Sequence, residues 1–154
     1  MIFNLLLLFT ILFYSIVVSQ SFMYILSLKH AQLNLEADAY ISLRKLLDQA
    51  MTRNFKYVIY LALLFNLILV IATLRNPFGI LFITSLISLL ALIGDVLIAV
   101  KRSLPINATI NTWKRDAYPT DWSQYRSNWL KVFRYRQVLN IIGFVSLLVG
   151  AVFK

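Results

Sequence analysis

Four long apolar stretches leave few folds open to this chain. They cover residues 2–28, 55–74, 78–100 and 138–153. About 20 apolar residues in a helix cross the hydrocarbon core of a bilayer, so the first three stretches are long enough by themselves. The fourth is shorter, and the helical turns before it can extend it. The pattern predicts an all-α integral membrane protein in which residues 1–154 form one four-helix bundle.

The composition agrees with burial in a membrane. Apolar residues make up 60% of the chain and charged residues 14%, whereas soluble domains average about 45–50% and 25%. A soluble chain of 154 residues has too little interior to hide that much apolar surface. A bilayer removes the difficulty, because the outward faces of the helices then contact lipid instead of water.

Residues 2–28 invite comparison with a secretory signal peptide, but their pattern differs from one. No basic residue precedes the apolar run, and the run is longer than the roughly 7–15 residues typical of a signal sequence. No small-residue cleavage pattern ends it convincingly. We therefore expect the first helix to be retained.

The basic residues are distributed unequally between the connections. Of 15 Lys and Arg, five lie in residues 29–56 and eight in residues 101–137, which leaves only Arg75 and Lys154 for the opposite side. The positive-inside rule places the two long connections in the cytoplasm and both termini on the non-cytoplasmic side of the inner membrane. The formal net charge of +9 then faces lipid headgroups. We expect membrane lipids, and no nucleic acid, among the partners.

The first connection contains a helical pattern over residues 37–51. Its apolar members recur at three- and four-residue spacing and are Leu43, Leu46, Leu47, Ala50 and Met51. Arg44, Lys45 and Asp48 take the opposite face. We expect a short amphipathic helix in this cytoplasmic loop, lying on the membrane surface or at the mouth of the bundle.

The second connection opens with Pro105 and is interrupted again at Pro119. After Pro119, Thr120 is a suitable N-cap and Asp121 suits the first turn of a helix. From there a helix can run without a breaker into the fourth apolar stretch. One face of that helix carries a stripe of aromatic and basic residues, Trp122, Arg126, Trp129, Phe133 and Arg136.

Polar residues of the predicted spans gather at the cytoplasmic end. Asp95 is the one acidic residue inside a span, where such a group is costly. It either pairs with Arg102 or Arg136, or accepts protons or anchors a ligand. The neighbouring polar residues are Gln20, Ser21, His30, Asn107, Asn111 and Asn140. This asymmetry predicts a pocket open to the cytoplasm or the inner leaflet rather than a channel, although hydrogen bonds between helices also explain such residues.

Several chemistries are excluded by residue counts. The chain has no Cys and one His, so thiolate sites and two-His haem ligation within one copy are impossible. A metal centre would need carboxylates or a partner chain. The four glycines are scattered and form no phosphate-binding loop, although Gly143 and Gly150 are one heptad apart and suit a close helix contact. We expect no metal and no cofactor.

The second connection resembles one known protein family. Pro105, Asn107 and Asn111 follow the third apolar stretch, and the run TDWSQYRSNW and then Arg136 follow them. This order is similar to that of the small four-helix membrane proteins grouped with the anthrone oxygenases, most of which have no assigned reaction. The resemblance covers most of the chain, but its specific motif is confined to this connection. Phe133 stands where many relatives carry His or Asn.

The resemblance implies a candidate site for a hydrophobic aromatic substrate at the cytoplasmic mouth of the bundle. The residues it assigns to ligand binding are Asn107, Asn111, Trp113, Trp122, Arg126 and Trp129. In an oxygenase-like reaction Arg126 or Arg136 would stabilise a phenolate, and Asp95 or His30 would transfer protons. Asp95, His30 and Arg136 are therefore the candidate catalytic residues.

These features leave three functions open. An accessory or structural subunit of a larger inner-membrane complex fits the uniformly apolar helices and the short connections. A cofactor-poor oxygenase or a binding protein for an aromatic molecule fits the polar cytoplasmic end. Transport fits less well, because it predicts broken helices and inverted repeats that the sequence does not display.

Overall fold

Four long helices make up most of the chain. The computed structural model describes residues 1–114 and 117–154, and this part contains helices but no strand. The helices are α1 (Ile2–Leu33), α2 (Ala37–Thr73), α3 (Ile80–Thr112) and α4 (Trp122–Phe153). Each is long and apolar enough to cross a membrane. The predicted all-α fold with four long apolar helices is confirmed.

The helices extend well beyond the apolar stretches at one end of the bundle. Polar sequence does not end a helix by itself, and α3 continues through Pro105 to Thr112. Pro105 is tolerated because it lies in the first turn after a wide π-helical turn. The helix predicted after Pro119 is also found, although Asp121 rather than Thr120 occupies the N-cap position.

Three of the helices contain a π-helical turn at the same end of the bundle. These turns span Tyr24–Leu28 in α1, Met51–Phe55 in α2 and Ala99–Ser103 in α3. A π-helical turn inserts one extra residue into a helix, widens it locally and rotates the following side chains, and it is frequent at functional sites. Three such turns at one level change the packing of the bundle there.

The four helices pack as an antiparallel ring. Helix α3 packs along α4, α4 along α1, α1 along α2, and α2 along α3. The centre is closed by Tyr14, Leu69, Leu92 and Leu147, which have no exposed surface. A buried hydrogen bond from the Asn66 Nδ2 to the Ser88 Oγ, 2.8 Å long, joins α2 to α3. This half of the bundle is apolar and tightly packed.

The helix of the first connection differs from the expectation. Residues Ala37–Ala50 are helical, but they continue into the rest of α2, so a separate short amphipathic helix is not confirmed. Its buried face carries Tyr40, Ile41 and Arg44, whereas Leu46 is 65% exposed. Tyr40 and Ile41 are drawn inward because Ile110 and Trp113 of α3 and its following loop offer them an apolar surface.

The end that carries the three π-helical turns is also strongly basic, and we name it the basic end. Its exposed cations are Arg53, Lys56, Lys101, Arg102, Lys114, Lys131 and Arg134. Arg115 was counted with the second connection in the sequence and lies outside the described residues.

Replacing Gly143 with alanine tests the close contact predicted for the glycines of α4. A Cβ atom at Gly143 would meet the Tyr14 hydroxyl and lie 2.9 Å from the Ala91 Cβ. Because these neighbours must move, we expect Gly143→Ala to lower the free energy of unfolding in detergent by about 1–3 kcal/mol.

Gly94→Ala is the matched control, because its new Cβ would meet only the flexible end of Leu139, at 3.1 Å. We expect this substitution to be nearly neutral, since alanine also favours the helix. If the two substitutions lower the free energy of unfolding equally, the close packing of Gly143 against Tyr14 and Ala91 is contradicted.

Candidate functional site

A cleft of about 600 Å³ opens at the basic end. All three π-helical turns line it, and the opposite wall is formed by α4 through Trp129, Phe133 and Arg136. The middle of the cleft is apolar, with Leu47 and Val96 among its lining residues. Its position agrees with the predicted pocket at one end of the bundle. A volume of this order is typical of small-molecule sites.

Arg44 is the central charged group of the cleft. The residue is only 5% exposed, yet it lines the cavity. Its Nε donates to the Asn107 Oδ1 at 3.2 Å, and its Nη1 donates to the Tyr24 hydroxyl at 3.3 Å. The guanidinium carbon lies 3.8 Å from the centre of the Trp129 ring. The contacts hold the side chain in place and use three different helices as partners.

These partners of Arg44 are all electrically neutral. Within residues 1–114 and 117–154, no carboxylate lies within 4.0 Å of its guanidinium. Buried charges in proteins are normally paired with an opposite charge. The Trp129 ring offsets part of the cost of burial through its negative face, but it supplies no full charge. The cleft therefore contains a desolvated cation that forms no direct ion pair with any described residue.

Asp48 lies one helical turn after Arg44, and its carboxylate accepts hydrogen bonds from two side-chain amides. The Asn107 Nδ2 donates to its Oδ1 at 2.6 Å, and the Asn111 Nδ2 donates to its Oδ2 at 2.8 Å. Asn107 thus connects Arg44 to Asp48 without a direct ion pair. The two amides keep the carboxylate oriented toward α3.

Asp95 and Arg136 form an ion pair beneath the cleft. The Arg136 Nε donates to one carboxylate oxygen at 2.7 Å and the Nη2 to the other at 3.3 Å. Asp95 is 1% exposed and the Arg136 side chain 14%. Two parallel charge-assisted bonds make this a strong pair. Of the two partners considered for Asp95 in the sequence, Arg136 is the one found.

Aromatic rings form the floor of the cleft. The rings of Trp129 and Phe133 stack with centroids 5.0 Å apart, and the Tyr24 ring packs 4.5 Å from that of Phe133. Trp129 and Phe133 belong to the stripe predicted on α4. Packed against one another and against Arg44, these rings give the cleft an apolar floor.

His30 lies outside the cleft. It is exposed near the end of α1 and lines a smaller hollow of about 300 Å³ with Arg134 and Gln137. Tyr24 and Phe133 line both cavities and stand between them. The structure therefore does not bring His30 together with Asp95 and Arg136 in one site.

Trp113, Trp122 and Arg126 also lie away from the cleft. Both tryptophans pack with Tyr40 and Ile110 in a separate apolar cluster that closes the basic end. The Arg126 Nη1 donates to the carbonyl oxygens of Gln32 and Leu35, at 3.1 and 3.0 Å. These groups anchor the connection between α1 and α2, which is a structural role.

Of the nine residues proposed from the sequence, three line the cleft: Asn107, Trp129 and Arg136. Asp95 and Asn111 contact it indirectly, through Arg136 and Asp48. The sequence reasoning missed Arg44, Tyr24 and Ser103, which also line the cavity. The spacing of Tyr40, Ile41 and Arg44 could have indicated that Arg44 shares the buried face. The stronger apolar pattern of Leu43, Leu46 and Leu47 indicates a different face, although Leu47 also lines the cavity.

The described residues offer little for a metal ion. Across residues 1–114 and 117–154, no three His, Asp or Glu side chains lie close enough together to bind one. The groups available in the cleft are hydrogen-bond donors, cations, aromatic rings and the Asp48 carboxylate. Comparison of the chain with models of protein families, with curated proteins and with solved structures finds no match.

The ion pair under the cleft can be tested by a double-mutant cycle. Removal of either partner leaves the other charge buried, so we expect Asp95→Asn and Arg136→Gln each to lower the free energy of unfolding by about 3 kcal/mol. The double variant should lose clearly less than the sum of the two, by more than about 1 kcal/mol. Unfolding in detergent measures all three, and purely additive losses would contradict a direct pair.

Proposed function

We propose that this chain is a multi-pass protein of the inner membrane, with both termini on the non-cytoplasmic side. Support comes from the outward faces of all four helices, which expose large apolar residues along their length, among them Leu8, Leu64, Leu90 and Val145. An exposed apolar surface of this extent suits lipid and not water. The exposed cations gather at the basic end, which the positive-inside rule places in the cytoplasm.

Within that membrane, the chain binds a hydrophobic small molecule in an apolar cleft lined by aromatic rings. The single observation that carries this proposal is the cleft of about 600 Å³, apolar in the middle and floored by stacked rings. A cavity of this kind is unexpected in a helix bundle that only fills space, because interiors normally pack without large voids. The resemblance of the second connection to the anthrone-oxygenase group, where it holds, implies an aromatic substrate at the same end of the bundle.

The ligand enters from the side of the bundle. Rim residues of α2 and α3 are exposed, including Tyr60 at 61%, Val100 at 55% and Leu104 at 47%. These side chains lie near the level where the exposed cations begin, which corresponds to the inner headgroup region. A molecule dissolved in the inner leaflet can therefore pass between α2 and α3 without crossing water.

Binding is better supported than oxygenase chemistry. Asp95 is neutralised by Arg136, and His30 lies outside the cleft, so neither is placed to accept a proton from a bound ligand. Asp48 is the carboxylate that lines the cavity and would take this role in a catalytic version of the site. An accessory role in a larger complex stays a prediction, since no particular contact of the structure favours it.

The membrane orientation is tested by cysteine labelling, because the native chain contains no Cys. Asn76→Cys places a thiol in the turn between α2 and α3, and Gln49→Cys places one at the basic end; both positions are exposed. We expect a membrane-impermeant maleimide to label Asn76→Cys in intact cells, and Gln49→Cys only after permeabilisation. The reverse pattern would invert the proposed orientation.

The binding proposal is tested by filling the cleft. Ala99 lines the cavity, so Ala99→Trp should obstruct it. Leu97→Trp is the matched control, since Leu97 is 51% exposed and faces outward two residues earlier. The probe is N-phenyl-1-naphthylamine, a neutral aromatic dye, and binding to the protein in nanodiscs is followed by energy transfer from tryptophan. We expect Ala99→Trp to abolish saturable binding and Leu97→Trp to preserve it. Equal binding by the two variants would contradict the proposal.

A further inference from the structure

We propose that the ligand of the cleft is an amphipathic anion, an aromatic or aliphatic body with one oxyanion head group that binds to Arg44. This inference rests on the proposed binding function and adds the chemical class of the ligand. The head group is a carboxylate, a phenolate or a sulfonate. The residue that recognises it is not part of the family-like motif on α4.

The charges around the cleft favour a negative ligand. The lining residues Arg44, Arg136 and Lys56 are cations and Asp48 is an anion, while Asp95 lies behind Arg136 as its partner. Three positive and two negative charges leave one in excess. Asp95 neutralises Arg136, Asp48 is bound by two amides, and Lys56 is exposed at the rim. The two amides leave the charge of Asp48 in place, but Asp48 forms no ion pair with Arg44, so the buried guanidinium has no direct counter-ion among the described residues.

Three groups of the cleft lining that make no hydrogen bond among the described residues can donate one. The Nη2 of Arg44 donates to no group within residues 1–114 and 117–154. The Trp129 Nε1 and the Ser103 hydroxyl are buried and lack hydrogen-bond partners in the same described part of the chain. Indole and guanidinium groups only donate, and a hydroxyl can donate as well. Three donors in residues that line one cavity call for a ligand that supplies acceptor oxygens.

The fixed geometry of Arg44 strengthens this assignment. Its Nε and Nη1 are held by Asn107 and Tyr24, and its flat face lies on Trp129. The guanidinium is therefore ordered before a ligand arrives, which reduces the entropy lost on binding. A planar carboxylate or sulfonate can accept hydrogen bonds from the remaining edge. An apolar body attached to that head group would extend along Trp129 and Phe133.

Two dyes with the same aromatic body test the inference. 1-Anilinonaphthalene-8-sulfonate carries an anionic group that N-phenyl-1-naphthylamine lacks. Both are titrated into the full-length protein in zwitterionic nanodiscs, with empty nanodiscs subtracted. We expect the wild-type protein to bind the sulfonate at least about 10-fold more tightly, which is the usual effect of one hydrogen bond to a charged group. Arg44→Gln should remove this preference, and Arg44→Lys should restore part of it.

Two further variants separate recognition from damage to the fold. Arg102→Gln removes an exposed cation of the neighbouring π-helical turn that does not line the cleft, and it should retain the preference for the sulfonate. Trp129→Phe keeps an aromatic ring but removes the indole donor, and it should reduce the affinity for the sulfonate more than that for the neutral dye. Because this substitution is conservative in shape, it remains informative if Arg44→Gln fails to fold.

The outcomes distinguish the two proposals. Equal affinity of the wild-type protein for the two dyes, unchanged in Arg44→Gln, would refute the anionic ligand and leave the binding function standing. Absence of saturable binding of either dye would refute both. Competition by 1-naphthoate or by laurate identifies an aromatic or a lipid-derived acid as the better ligand. Failure of both acids to displace the sulfonate would count against the inference.

Discussion

The burial of the Arg44 guanidinium among neutral groups governs the organisation of the basic end. A cation removed from water needs compensation, and this one receives it from Tyr24 of α1, Asn107 of α3 and Trp129 of α4. Three helices are therefore held to a fourth by contacts with one side chain. At the same level, each of α1, α2 and α3 contains a π-helical turn that lines the cavity. The guanidinium that joins the helices is therefore also a wall of the cleft.

Features set by residues close together in the sequence can be predicted from it, whereas features set by distant residues cannot. The four helices follow from runs of apolar residues, and the stripe of Trp129 and Phe133 follows from helical spacing, because both patterns are local. Asp95 was assigned two possible partners from its depth, and Arg136 is the one present. The role of Arg44 is harder to predict, because helical spacing indicates that it shares a face with Tyr40 and Ile41 but not that this face is buried. Whether its face of α2 points inward depends on Ile110 and Trp113, which are more than 60 residues away. The π-helical turns are equally hidden, because no residue type specifies them.

The candidate residues divide into two groups with different physical roles. Trp113, Trp122 and Arg126 close the basic end and anchor the connection after α1. Asn107, Trp129 and Arg136 face the cavity. A motif that looks continuous in sequence is thus part scaffold and part site, since a helical stripe contacts different neighbours along its length. The proposed function depends on the second group together with Arg44, and it requires an apolar ligand that brings its own negative charge.

Native mass spectrometry of the protein, extracted gently from its own membranes, tests the central claim most directly. We expect the spectrum to contain one or a few copies of the chain with a bound small molecule, which after release ionises as an acid in negative mode. The same preparation of Ala99→Trp should lack the adduct. A chain that carries only phospholipid, or that migrates with defined larger subunits and holds no small molecule, would contradict the binding function and favour an accessory role.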